Sequence, residues 1–65
     1  MTIKYFEQTD TLYISLRSAD VAETRDLDGH TQIDLDVAGE MCAITIEHAK
    51  ERVDMPKLSF ETVAA

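Results

Sequence analysis

Leu12, Ile14 and Leu16 alternate with Tyr13 and Ser15 in the run Asp10-Thr11-Leu12-Tyr13-Ile14-Ser15-Leu16. A period of two puts the three aliphatic side chains on one face of an extended strand and leaves the other face half-solvated. The alternation returns at Ile33, Leu35 and Val37 and again at Cys42, Ile44 and Ile46. Three such segments in 65 residues constrain the chain to a small antiparallel sheet. The expected fold class is mainly β: an antiparallel meander of about five strands ending in a short helical segment.

The first strand is expected at Thr2 to Phe6, joined through Glu7-Gln8-Thr9-Asp10 to a second at Thr11 to Arg17. Asp10 suits an Asx-type turn there. Pairing Tyr5 with Leu12, Ile3 with Ile14 and Met1 with Leu16 puts all six on one face, the consistency that fixes a register. Ser18-Ala19-Asp20 is a turn, followed by Val21 to Leu27, whose faces are both thinly apolar, as in an edge strand. Asp28-Gly29 signals the next turn. Thr31 to Val37 and Met41 to Glu47 form the second strong hairpin around Ala38-Gly39. Its register places Leu35 against Cys42, Ile33 against Ile44 and Thr31 against Ile46, with Asp34 and Asp36 facing Ala43 and Met41. His48 to Val53 is helical material that Pro56 limits. Residues 1–53 thus form one domain. Residues 54–65 form a tail in which Leu58 and Phe60 either make a short strand or, with Val63, pack on a second subunit.

A chain this short buries only about 60% of the surface that its unfolded form exposes. Disulfides, metals and oligomerisation are the usual compensations. Cys42 is the only cysteine, so no disulfide forms within the chain. His30, His48 and Cys42 supply a zinc site poorly. Homo-oligomerisation is the expected compensation.

Thirteen acids against six Lys and Arg give a formal net charge of −7. Nucleic-acid binding needs a clustered basic stripe, and Lys50, Arg52 and Lys57 are interleaved with Glu47, Glu51 and Asp54. No nucleic-acid partner is expected. Seven carboxylates between Asp20 and Glu40 face only Arg25. They read as a solubilising surface or as a docking face for a basic protein partner. No apolar run reaches 18 residues, so no membrane span is expected. The opening residues lack a secretory core, and one unpaired cysteine fits a reducing compartment. The expected location is cytoplasmic.

Several segments of this chain resemble one family. They are Ile3-Lys4-Tyr5, Asp10-Thr11-Leu12-Tyr13-Ile14, Val21-Ala22-Glu23-Thr24, Ile33-Asp34-Leu35-Asp36, Val37-Ala38-Gly39-Glu40, and Ala43-Ile44-Thr45-Ile46-Glu47 followed by Ala49. Their order and spacing resemble the bacterial and archaeal domain-of-unknown-function family 2283, over about Met1 to Arg52. The resemblance implies a short β-rich cytosolic protein with no established activity, cofactor or catalytic residues. It also carries a conjectured link to toxin–antitoxin-like gene pairs. Ala43 departs from the glycine that relatives often carry, and the tail after Val53 lies outside the match.

Chemistry-bearing residues are sparse. His30 and Glu47 fall opposite each other in the second hairpin, with His48 and Asp28 nearby, as a metal or acid–base site would require. A metal site also needs convergent ligands with supporting contacts, and exposed turn histidines satisfy the pattern equally. Asp34 and Asp36 project from one strand face about 7 Å apart. Paired carboxylates serve glycosidases, but a solvated hairpin face offers no pocket. Asp26, Asp28 and Gly29 lack the later ligands of a calcium loop. Cys42 reads as a small buried hydrophobe, with no cation nearby to activate it. No catalytic, cofactor or metal residues are therefore assigned and no cofactor is expected. Tyr13 faces away from Leu12 and Ile14, with Met41 and Ala43 as companions. Together with Leu58, Phe60 and Val63 it forms the expected interface set, Tyr13, Met41, Leu58, Phe60 and Val63. The favoured reading is a non-enzymatic protein-binding or self-assembly module, antitoxin-like where its partner is basic. The alternative is a small metal-dependent or acid–base enzyme whose site spans an oligomer interface.

Overall fold

The computed structural model describes residues 1–55 and 57–64. The expected helix-limiting role of Pro56 lies outside the described residues. Five antiparallel strands form one sheet: β1 (Thr2–Phe6), β2 (Thr11–Ser15), β3 (Glu23–Asp28), β4 (Thr31–Leu35) and β5 (Met41–Glu47). One short helix, α1 (Ala49–Arg52), follows.

The strand order is β1-β2-β5-β4-β3, which corrects the expected meander. After β2 the chain crosses to the far edge of the sheet, then returns through β4 so that β5 closes against β2. Hydrophobicity explains the order. The apolar β2 and β5 occupy inner positions, whereas β3 (Glu-Thr-Arg-Asp-Leu-Asp) is exposed at all six residues and takes an edge. An edge strand tolerates charge because one side of it stays in water. Residues 16–22 run along the end of the sheet. The Leu16 N–H donates to the Cys42 carbonyl and the Ala22 N–H to the Leu35 carbonyl, both at 2.8 Å. Arg17 fastens this crossover to the β4–β5 loop by donating to the Asp36 carboxylate and, at 3.4 Å, to Glu40.

The hairpin registers mostly follow the side-chain pattern. Ile3 pairs with Ile14 and Tyr5 with Leu12. Ile33 pairs with Ile44 and Thr31 with Ile46. The far end of the second hairpin departs from expectation. A bulge aligns Leu35 with Met41, not with Cys42, and the strands stop at Leu35, leaving a loop over residues 36–40. Asp36 organises that loop: its Oδ1 accepts the Ala38 and Glu40 N–H groups at 2.9 and 3.0 Å. Gly39 supplies the positive φ (81°) that an L side chain would resist. Cys42 is buried beside the bulge, and its thiol donates to the Asp34 carbonyl at 3.3 Å.

Paired residues share a face, so the sheet has two distinct sides. One carries Ile3, Tyr5, Leu12, Ile14, Ile33, Ile44 and Ile46. The other carries Lys4, Tyr13, Thr45, Gln32 and Asp26 across one row, and Ser15, Ala43, Asp34 and Thr24 across another. The buried hydrophobic residues are few: Leu12, Leu35, Cys42, Ala43 and Ala49.

Candidate functional site

The side bearing the isoleucines is the candidate site. Successive pairings across four strands set Ile3, Ile14, Ile44 and Ile33 in one row, with Arg25 of β3 at its end. Ile3 is 39% exposed and the other isoleucines are half-buried, so the face is only partly covered. Residues after α1 fold back over its β1–β2 end. They leave a groove of about 430 Å³ lined chiefly by Ile3, Tyr5, Leu12, Ile14, Met55 and Leu58. The geometry is that of an apolar surface with a partial cover, with Tyr5, Asp54 and Lys57 the polar residues of its described lining.

Asp10 holds that cover in place. It adopts a left-handed conformation (φ 53°) at the β1–β2 turn. Its carbonyl accepts the Ala49 N–H at 3.0 Å and its carboxylate accepts the Lys50 N–H at 3.1 Å. These are the first amides of α1, whose own N-cap residue, His48, makes no side-chain cap. An acid from a distant turn thus caps the helix in trans and also accepts the Tyr5 hydroxyl at 2.6 Å. This role replaces the Asx-type turn expected of Asp10. At the other side of α1, Arg52 donates to the His30 carbonyl at 2.9 Å and to Asp28 at 3.3 Å.

The Tyr5–Asp10 bond perturbs both groups. The Tyr5 phenol is pushed up to about 12, first by donating to the carboxylate, then by lost hydration and the negative charges of Asp10 and Glu7. Asp10 is held below the ordinary carboxylate range, first by the Tyr5 hydroxyl and then by the Lys50 N–H and nearby positive charge. The fold therefore favours protonated Tyr5, a contribution present below about pH 10 and lost as pH rises through the folded value. It favours ionised Asp10, a contribution present above about pH 4 and lost on acidification. With Tyr13→Phe leaving Tyr5 as the only tyrosine, ultraviolet titration of the folded protein should give a midpoint near 12. Adding Asp10→Asn should return it toward about 10. A midpoint unmoved by Asp10→Asn would show that the hydrogen bond does not form.

The expected interface set is dispersed. Tyr13 is half-buried on the opposite side of the sheet, paired with Lys4 and Thr45. Ala43 shares that side but is buried, and the bulge aligns Met41 (42% exposed) with Leu35 instead of beside Tyr13. Leu58 lines the groove on the isoleucine side, while Phe60 and Val63 lie exposed in an irregular segment without strand pairing. Sequence reasoning missed the isoleucine side as a surface because alternation assigns such residues to a core. The signal available was the absence of any second layer long enough to cover them.

The chemical candidates come together only in part. The Glu47 N–H donates to the His30 carbonyl at 2.8 Å, and the His30 and His48 rings meet edge to face with centroids 4.7 Å apart. Asp28 turns inward to its own loop, accepting the His30 N–H at 2.8 Å. Among the described residues no three His, Cys, Asp or Glu side chains converge as metal ligands would. Asp34 and Asp36 do not share a strand face. Asp34 accepts the Thr24 hydroxyl at 2.8 Å on the sheet, while Asp36 belongs to the loop with Arg17.

Residues 2–50 match the family model described as "Protein of unknown function (DUF2283)". The chain belongs to that family. No curated protein and no solved structure matches it significantly. The match to DUF2283 spans all five strands and the start of α1, and ends before the segment that overlies the groove. No helix among the described residues is long and apolar enough to cross a membrane.

Proposed function

We propose that this DUF2283 chain is a non-enzymatic, cytosolic protein-binding module that presents the isoleucine side of its sheet to a protein partner. One observation carries the reading: the row Ile3, Ile14, Ile44 and Ile33 stays partly exposed across four strands. A sheet face of this kind is normally buried against a second layer, and contiguous exposed apolar surface marks an interaction site. The single free cysteine supports a reducing compartment. Non-enzymatic action is supported by the lining of the groove, where aliphatic side chains predominate.

The test is site-specific photo-crosslinking in cells that make the protein, with benzoylphenylalanine at position 33 on this face or at position 34 on the opposite one. Discrete protein adducts from position 33, and few from position 34, are the expected result. Adducts confined to position 34 would transfer the binding role to the acidic side and overturn the assignment.

A further inference from the structure

We infer that the occupant of the isoleucine face is a second copy of this chain, the two sheets packing face to face into a sandwich; the inference rests on the binding role proposed above. Charge distribution is the first support. The register, the Arg52–Asp28 pair, the groove lining and the surroundings of Tyr5 place Glu7, Asp10, Glu23, Asp28 and Asp54 on or around this face against Arg25, Lys50, Arg52 and Lys57. Five acids meet four bases, so most of the formal net charge of −7 lies elsewhere in the chain. Glu23 and Arg25 neutralise each other directly through two bonds of 3.0 and 3.1 Å. A two-fold interface apposes the same patch on both copies and therefore needs a patch that does not repel itself. The opposite side, with Asp26, Asp34 and Glu47 against Lys4, keeps a net negative charge that would repel its own copy, and it faces outward in this arrangement.

Edge pairing through β3 is a poorer route to the same assembly. β3 carries charge along its length and has a register shift between Asp26 and Asp28, both of which blunt an edge. Area is the second support. Five strands about 4.8 Å apart, each of five residues rising about 3.4 Å, project roughly 400 Å² of sheet. A stable interface takes about 800 Å² of accessible surface from each partner. Surface relief and Leu58, 72% exposed at the groove, add to that projected area.

Analytical ultracentrifugation of the full chain tests this, with dye binding to exposed apolar surface (ANS) and far-UV circular dichroism on the same samples. The expected species has about twice the 7.3 kDa chain mass. Ile33→Lys should make it monomeric with the sheet spectrum retained. Ile3→Lys, on an edge strand, does the same with less risk to the fold. Tyr13→Ser, on the far side, should leave the dimer intact. A dimer that survives both lysine variants, folded, overturns the inference. So does a monomeric parent chain, and ANS then separates two cases. Binding abolished by Ile3→Lys means that the face is open to another protein, so only self-pairing fails. No ANS binding means that the face is closed within the monomer, and the binding role fails with it.

Discussion

Leu12→Ala is expected to lower the free energy of unfolding by about 3 kcal/mol, the usual loss for a buried leucine whose surroundings cannot collapse into the space. Leu12 is 8% exposed and lies between Tyr5 of β1 and Ile46 of β5, where the first hairpin joins the rest of the sheet. The expected loss is large against the total. A chain of this length holds roughly 3–10 kcal/mol of stability. Urea unfolding followed by circular dichroism should therefore show a large drop in midpoint with little change in slope. Ile3→Ala is the comparison: Ile3 shares the face but is 39% exposed on an edge strand, and should lose about 1 kcal/mol. Equal losses at the two positions would mean that β1 and the β2–β5 centre are packed alike, against the burial pattern.

Ala49→Glu is the second large effect, expected to be about 3 kcal/mol at neutral pH. Ala49 is fully buried, with its N–H donated to the Asp10 carbonyl and its carbonyl accepting the Val53 N–H. A carboxylate there has no room and no partner, so α1 should leave the sheet and expose the groove that Val53 and Leu58 help to line. Hydrogen exchange locates the damage: the Ala49 to Val53 amides should lose protection while those pairing β2 with β5 keep theirs. Uniform loss across the sheet would mean that the helix is integral to the core and not a detachable cover.

Much of the sheet was legible in the side-chain pattern. Alternation at Leu12, Ile14, Ile33, Ile44 and Ile46 gave strands and registers because a one-residue slip would move every one of these side chains to the other face. The weak pattern from Val21 to Leu27 identified an edge strand, although a five-strand meander would have placed it in the middle. That conflict contained the true order: only a crossover to the far side lets β3 be third in the chain and last in the sheet. The bulge at Leu35 and Met41 was not legible, since it depends on how Asp36 gathers the loop amides. Nor was the capping of α1 by Asp10, which joins residues 40 apart and leaves no periodic trace. The exposure of the isoleucine side was not legible for a related reason. Alternation reports which residues share a face, not whether anything covers that face, so the pattern placed Tyr13 on the second side correctly but did not show that Ile3 and Ile33 stay partly exposed.

The central claim is that the isoleucine side, which residues after α1 cover only at its β1–β2 end, is completed by a protein partner. The direct measurement is the solvent exposure of isoleucine methyl groups, read by NMR with a neutral gadolinium chelate over a dilution series. Strong relaxation of the Ile3, Ile14, Ile33 and Ile44 methyls at the lowest concentration, fading as concentration rises, is the predicted result. Methyls shielded equally at every concentration down to the monomer would contradict it.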